Sequence, residues 1–175
     1  MKIGIILGSV RTNRVGDQIA AWALEQVASS TEHTFEIVDL KSFNLPLYTS
    51  PMAPMMLGGK YELPEQQAWA DKIAEFDGYL IVTAEYNHGI PGALKNAIDS
   101  LGPELTAKRV GFIGYSYDGA IRAVEQLRGV LANFSMHDVR AQVSINLNTE
   151  FVDGTFTPGA HQAGALATVV SQLTA

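Results

Sequence analysis

Three short polar segments carry the side chains best suited to chemistry. The first, Gly8-Ser9-Val10-Arg11-Thr12-Asn13-Arg14, holds two of the chain's six arginines. It runs through Gly16, Asp17 and Gln18 into a stretch with Ile19, Trp22, Ala23 and Val27 on one helical face. Backbone N–H groups at a helix start attract anions, and Ser9, Arg11 and Arg14 can complete a phosphate site. The same residues also suit a solvated turn with an N-cap and two surface arginines. The spacing is neither the P-loop G-x-x-x-x-G-K-[ST] nor the dinucleotide G-x-G-x-x-G, because Val10 stands where a second glycine is needed.

The second segment, Ala84-Glu85-Tyr86-Asn87-His88-Gly89-Ile90-Pro91, is bent by Gly89 and Pro91. Pro91 fits the first position of a following helix, and Ile90 before it is driven towards an extended conformation. Backbone groups in such a loop can line a planar heterocycle, with Tyr86 or His88 at its face or edge. Taken singly, Glu85 also fits a solvated acid, Tyr86 a half-buried aromatic and His88 an ordinary loop residue. The third segment, Gly114-Tyr115-Ser116-Tyr117-Asp118-Gly119-Ala120, lacks the G-x-S-x-G of a nucleophile elbow. Ser116 or Asp118 suits a helix cap, while Ser116, Tyr117 and Gly119 suit contact with a ligand. The four histidines, His33, His88, His137 and His161, are scattered and suggest no metal triad.

Something must bring these segments together. Apolar runs near 3–8, 34–40, 78–83, 109–115 and 139–147 alternate with helical segments near 14–29, 64–76, 91–101, 119–133 and 160–174. Alternation of this kind implies βαβ units and a parallel sheet covered on both faces. The first, third and fourth runs are almost wholly apolar or glycine, as central strands are. The fifth alternates Val139, Ala141, Val143, Ile145 and Leu147 with polar residues, and the second begins likewise, as edge strands do. The order 2-1-3-4-5 follows, an α/β flavodoxin-like three-layer sandwich. In that order ligands bind beyond the carboxyl ends of strands 1 and 3, where the three polar segments converge.

The 175 residues suit one domain, 1–175. A formal net charge of −6 argues against nucleic-acid or anionic-membrane partners. No apolar stretch has transmembrane length, and the short apolar N-terminus reads as a first strand rather than a signal peptide. The absence of cysteine excludes thiol chemistry and fits a reducing cytoplasm.

The segments taken together resemble the NADPH-dependent FMN reductase family, whose members include quinone, azo-dye and chromate reductases. Its G-S-x-R-x-x-R loop stands here as Gly8 to Arg14. Its P-E-Y-N-x-x-x-P-G-x-L-K-N-A-[IL]-D motif stands as Ala84-Glu85-Tyr86-Asn87 through Pro91-Gly92-Ala93-Leu94-Lys95-Asn96-Ala97-Ile98-Asp99, with Ala84 replacing the proline. Gly114-Tyr115-Ser116 and Gly119 to Arg122 resemble the third loop, and Trp69 matches a tryptophan before strand 3. The register holds over about residues 1 to 133.

The resemblance implies bound FMN. Ser9, Arg11, Arg14, Gly16, Asp17 and Gln18 would surround its phosphate. Glu85, Tyr86, Asn87 and His88 would line the isoalloxazine, chiefly through backbone groups, and Ser116, Tyr117 and Gly119 would close the other side. It also implies NADPH or NADH as hydride donor, a small electron acceptor taking the donor's place, and a homodimer or homotetramer. The methionine-rich loop Leu45 to Tyr61 would cover the pocket, lie in a subunit interface, or shield a satellite apolar cluster. No side chain need act as acid or base, so no catalytic residue is expected. The alternatives are a flavodoxin-type electron carrier, which Arg11 and Arg14 argue against, and a non-flavin module for a phosphorylated metabolite.

Overall fold

A computed structural model describes all 175 residues. Five parallel strands, β1 (Lys2–Leu7), β2 (Thr34–Asp39), β3 (Gly78–Ala84), β4 (Arg109–Ser116) and β5 (His137–Asn146), pair in the order β2-β1-β3-β4-β5. The central strands β1, β3 and β4 are buried along nearly their whole length, while β2 is mostly half-buried and β5 alternates between buried and more exposed residues over much of its length. The sheet order and the division into central and edge strands thus follow from the hydrophobic pattern.

Two helices cover one face: α1 (Gly16–Val27) and α6 (Ala160–Thr174). They bury Ile19, Ala23, Leu166 and Val169 against Ile5, Leu80, Ile113 and Val143. On the other face lie α3 (Pro64–Ala74), α4 (Gly92–Asp99) and α5 (Ile121–Ala132). They bury Trp69, Ile73, Leu94, Ile98 and Leu127 against Ile6, Ile81 and Phe112. Trp69 is 1% exposed, and its indole N–H donates to the Ala97 carbonyl at 2.9 Å, which ties α3 to α4 without leaving a buried donor unpaired.

The helices begin later than the periodicity suggests, α1 at Gly16 rather than near residue 14 and α5 at Ile121 rather than near 119. In both cases a bend or turn occupies the first residues, with Val15 and Ala120 as the N-cap residues. Pro91 stands one residue outside α4, in an extended conformation. Short elements carry too few residues for a periodicity: α2 (Pro54–Leu57), and a hairpin of β6 (Phe151–Val152) with β7 (Thr155–Phe156) between β5 and α6. No helix is long and apolar enough to cross a membrane.

Candidate functional site

The three polar segments meet at the carboxyl ends of β1, β3 and β4. Gly8 continues the pairing of β1, donating to the Val82 carbonyl at 3.0 Å. A Cβ on Gly8 would stand 2.9 Å from a Leu94 methyl and 3.2 Å from the Val82 carbonyl, so a larger residue there would require the Leu94 side chain to shift. Ser9 is 1% exposed, and its hydroxyl lies 2.8 Å from that of Tyr86, which joins the first loop to the second.

The two loop arginines have different partners. The Arg11 guanidinium sits 5.8 Å over the Tyr86 ring and has no acidic partner. Arg14 is spent on the protein: it donates to the Ser9 carbonyl at 2.5 Å and, as a two-pronged fork, to Asp39 at 2.7 and 2.5 Å. Its side chain is only 11% exposed. Burial would raise the Asp39 carboxyl, but the Arg14 fork and the Lys41 amide overcome it and hold the carboxyl below its ordinary range. Arg14 is therefore a strut between β2 and the loop.

At α1 no side chain caps the helix: Val15 is the N-cap residue, and Ser9, Thr12 and Asn13 do not bond the first turn. An uncapped helix start beside an unpaired arginine and a buried serine hydroxyl fits a phosphate. Gly16 is required by packing, since a Cβ there would stand 2.5 Å from the Tyr115 hydroxyl. Burial, with Tyr86 nearby, pushes that hydroxyl up to about 12 against the opposing influence of Ser9 and Arg14. Asp17 accepts from the Gln18 amide at 3.1 Å. The Gln18 side chain is committed to the β6–β7 hairpin, donating to the Gly154 carbonyl and accepting from the Phe156 amide. Only its backbone is left for a ligand.

In the second loop, Tyr86 and Gly89 exchange two backbone hydrogen bonds of 3.0 Å around Asn87 and His88, whose φ angles are 50° and 66°. Both central residues are left-handed, a geometry that Asn tolerates and His adopts at a cost. Gln126 on α5 clamps this turn, accepting from the Ile90 amide at 3.3 Å and donating to the His88 carbonyl at 3.0 Å. Both turn side chains are exposed.

Glu85 points the other way. Its carboxylate is 4% exposed, accepts from the Arg122 and Ala123 amides at 3.1 and 3.2 Å, and pairs with the Arg122 guanidinium at 2.7 Å. The third loop is fixed from within: the Ser116 hydroxyl accepts from the amides of Asp118 and Ala120 at 3.0 and 2.8 Å. Its side chain acts as a turn cap. Gly119, at φ 76°, lies against Ser144. Tyr117 is 67% exposed, with its carbonyl held by the Asn146 amide at 2.8 Å.

Loops one and two thus offer a ligand Ser9, Arg11, the start of α1 and the Asn87–His88 turn. The side chains of Arg14, Gln18, Glu85 and Ser116 hold the loops in place. Asp39, Gln126 and Asn146 also belong to this scaffold, but each acts across the fold and gives no local signal. Asn96 does the same on α4, accepting from the Tyr48 amide and donating to the Pro46 carbonyl. The wall it anchors borders a groove of about 440 Å³, lined by Val10, Lys41, Leu45, Leu47, Ala93 and Asn96 among others.

The sequence pattern of the NADPH-dependent FMN reductase family matches residues 1–150. The chain belongs to that family, a class of flavin-dependent oxidoreductases. It is 38% identical over 72% of its length to an NAD(P)H-dependent FMN reductase of Nectria sp, covering 65% of that protein. It is 36% identical over 75% of its length to a 2-hydroxy-1,4-benzoquinone reductase of Burkholderia sp, covering 70% of that one. Among solved structures it resembles the flavoenzyme NAD(P)H:(acceptor) oxidoreductase FerB of Paracoccus denitrificans. The TM-score there is 0.77 at 21% identity, with 99% of this chain and 97% of that one covered.

Proposed function

We propose that this chain is a single FMN-binding domain that oxidises NADPH or NADH and passes the electrons to a small acceptor such as a quinone. The observation that carries this reading is the uncapped start of α1 with Ser9 and the unpaired Arg11 beside it, next to the rigid Asn87–His88 turn. FMN, when bound, supplies the hydride chemistry. The chain binds, orients and shields. Ser9, Arg11 and the first-turn amides of α1 hold the phosphate. The backbone of Glu85 to His88 lines the ring, and the Gln126 clamp and the Glu85–Arg122 tether fix that wall. Tyr117 and Gly119 border the far side.

Donor and acceptor would use one place in turn, so steady-state kinetics should give parallel double-reciprocal lines. Intersecting lines would contradict the shared place. The relatives' names as NAD(P)H-dependent FMN reductase and 2-hydroxy-1,4-benzoquinone reductase favour this reading over an electron carrier of flavodoxin type.

A homodimer or homotetramer is part of the same proposal. Leu47, at 78% exposure, and Met56, at 74%, stand with Met52, Met55 and Leu63 on one exposed segment, an apolar surface of the kind a subunit interface covers. Sedimentation should give at least twice the 18.9 kDa of the chain. The reading also puts the protein in a reducing cytoplasm.

A further inference from the structure

The cations around the site sort by their partners. Arg14 is neutralised by Asp39, and Arg122 by Glu85 and Asp118. Lys95, on α4, pairs with Asp99 one turn further along. Arg11 and Lys41 remain. Arg11 stands over Tyr86 beside the start of α1, where the flavin phosphate would lie.

Lys41 follows the end of β2. Its backbone amide is fixed on Asp39 at 3.0 Å, but its ammonium group makes no hydrogen bond and no ion pair. It is the one charged residue among the nine that line the 440 Å³ groove. That groove reaches Val10 of the first loop on one side and Gly92, the first residue of α4, on the other. Its outer wall is held rigid by the two hydrogen bonds of Asn96 to the Pro46–Tyr48 segment. The volume falls within the range of small-molecule sites. An open groove with one free cation and an apolar lining suits a purine with an attached phosphomonoester.

We propose that this groove takes the adenosine end of the donor and that Lys41 pairs with the 2′-phosphate that distinguishes NADPH from NADH, making NADPH the preferred donor. The proposal rests on the flavin reading above, which puts the nicotinamide end over the neighbouring loops. A phosphomonoester carries nearly two negative charges at neutral pH, and no carboxylate lines the groove to compete for the lysine.

The test is calorimetric titration of FMN-supplemented protein with adenosine 2′,5′-bisphosphate and with adenosine 5′-monophosphate, in wild type, Lys41→Ala and Lys41→Arg. The wild type should bind the bisphosphate about 10-fold more tightly, the worth of one charge-assisted hydrogen bond. Lys41→Ala should bind the two alike, and Lys41→Arg should keep the preference. The ratio of kcat/KM for NADPH to that for NADH should fall with Lys41→Ala by about the same 10-fold. Equal binding of the two nucleotides by wild type, or a preference that survives Lys41→Ala, would overturn the proposal. Flavin absorbance recorded on the same samples separates the two claims. Protein that takes up no FMN defeats the flavin reading, while the nucleotide titrations still decide the role of Lys41.

Discussion

The carboxylate of Glu85, at the end of β3, caps the start of α5, accepting from the amides of Arg122 and Ala123 while pairing with the Arg122 guanidinium. Ala120, the N-cap residue of that helix, supplies no side-chain acceptor, so a residue 37 positions away does the capping. The tether makes the second and third loops one rigid wall.

Glu85→Ala should therefore cost about 2 kcal/mol of stability, the combined loss of a cap and a charge-assisted bond. Urea unfolding measures it. Loss of flavin binding with unchanged stability would instead mean that the carboxylate contacts the ligand.

The arginines of the first loop should separate. Arg11→Ala should weaken FMN binding by about 10-fold and leave riboflavin binding unchanged, because only the phosphate contact is lost. Arg14→Ala should lower stability and weaken both ligands together, since it strands the Asp39 carboxylate and the Ser9 carbonyl. Fluorescence titration with the two flavins distinguishes these patterns.

Asp39 sets an acid limit. Its carboxyl is held below the ordinary value in the folded state, so its contribution is full above about pH 4 and is lost as pH falls through the folded value. Asp39→Asn should be less stable than wild type at pH 6, and the gap should narrow between about pH 4 and pH 2. A constant gap across that range would show that the pair adds no charge-linked stability. Exposed carboxylates such as Glu36 and Glu75 titrate in both proteins and cancel in the difference.

His88→Gly should stabilise the chain by about 1 kcal/mol, because glycine adopts the left-handed φ of 66° without steric cost. Thermal unfolding without flavin is the measurement. A lower melting temperature would mean that the imidazole makes a stabilising contact outweighing the backbone cost.

How far these features could be read in advance depends on their range. The strand order follows from local pattern, because two-sided burial leaves β3 almost wholly apolar or glycine while β5 alternates. The meeting of the three loops was also legible, as strand ends fall where Gly8, Ala84 and Ser116 lie. What was not legible is which side chains hold the loops in place. Arg11 and Arg14 look alike in sequence, and only the position of Asp39, at the end of a neighbouring strand, separates them. The partnership of Gln126 with the His88 turn spans 38 residues and two elements. The hairpin that engages Gln18 is too short to have a periodicity.

The account turns on whether FMN occupies the junction of the three loops and carries electrons there. An anaerobic absorption titration of the purified, FMN-supplemented and desalted protein tests this directly. One flavin per chain should remain bound, its visible absorbance should bleach on addition of NADPH, and it should return when a benzoquinone is added. Protein that emerges colourless from desalting, or a bound flavin that NADPH and NADH both fail to bleach, would contradict it.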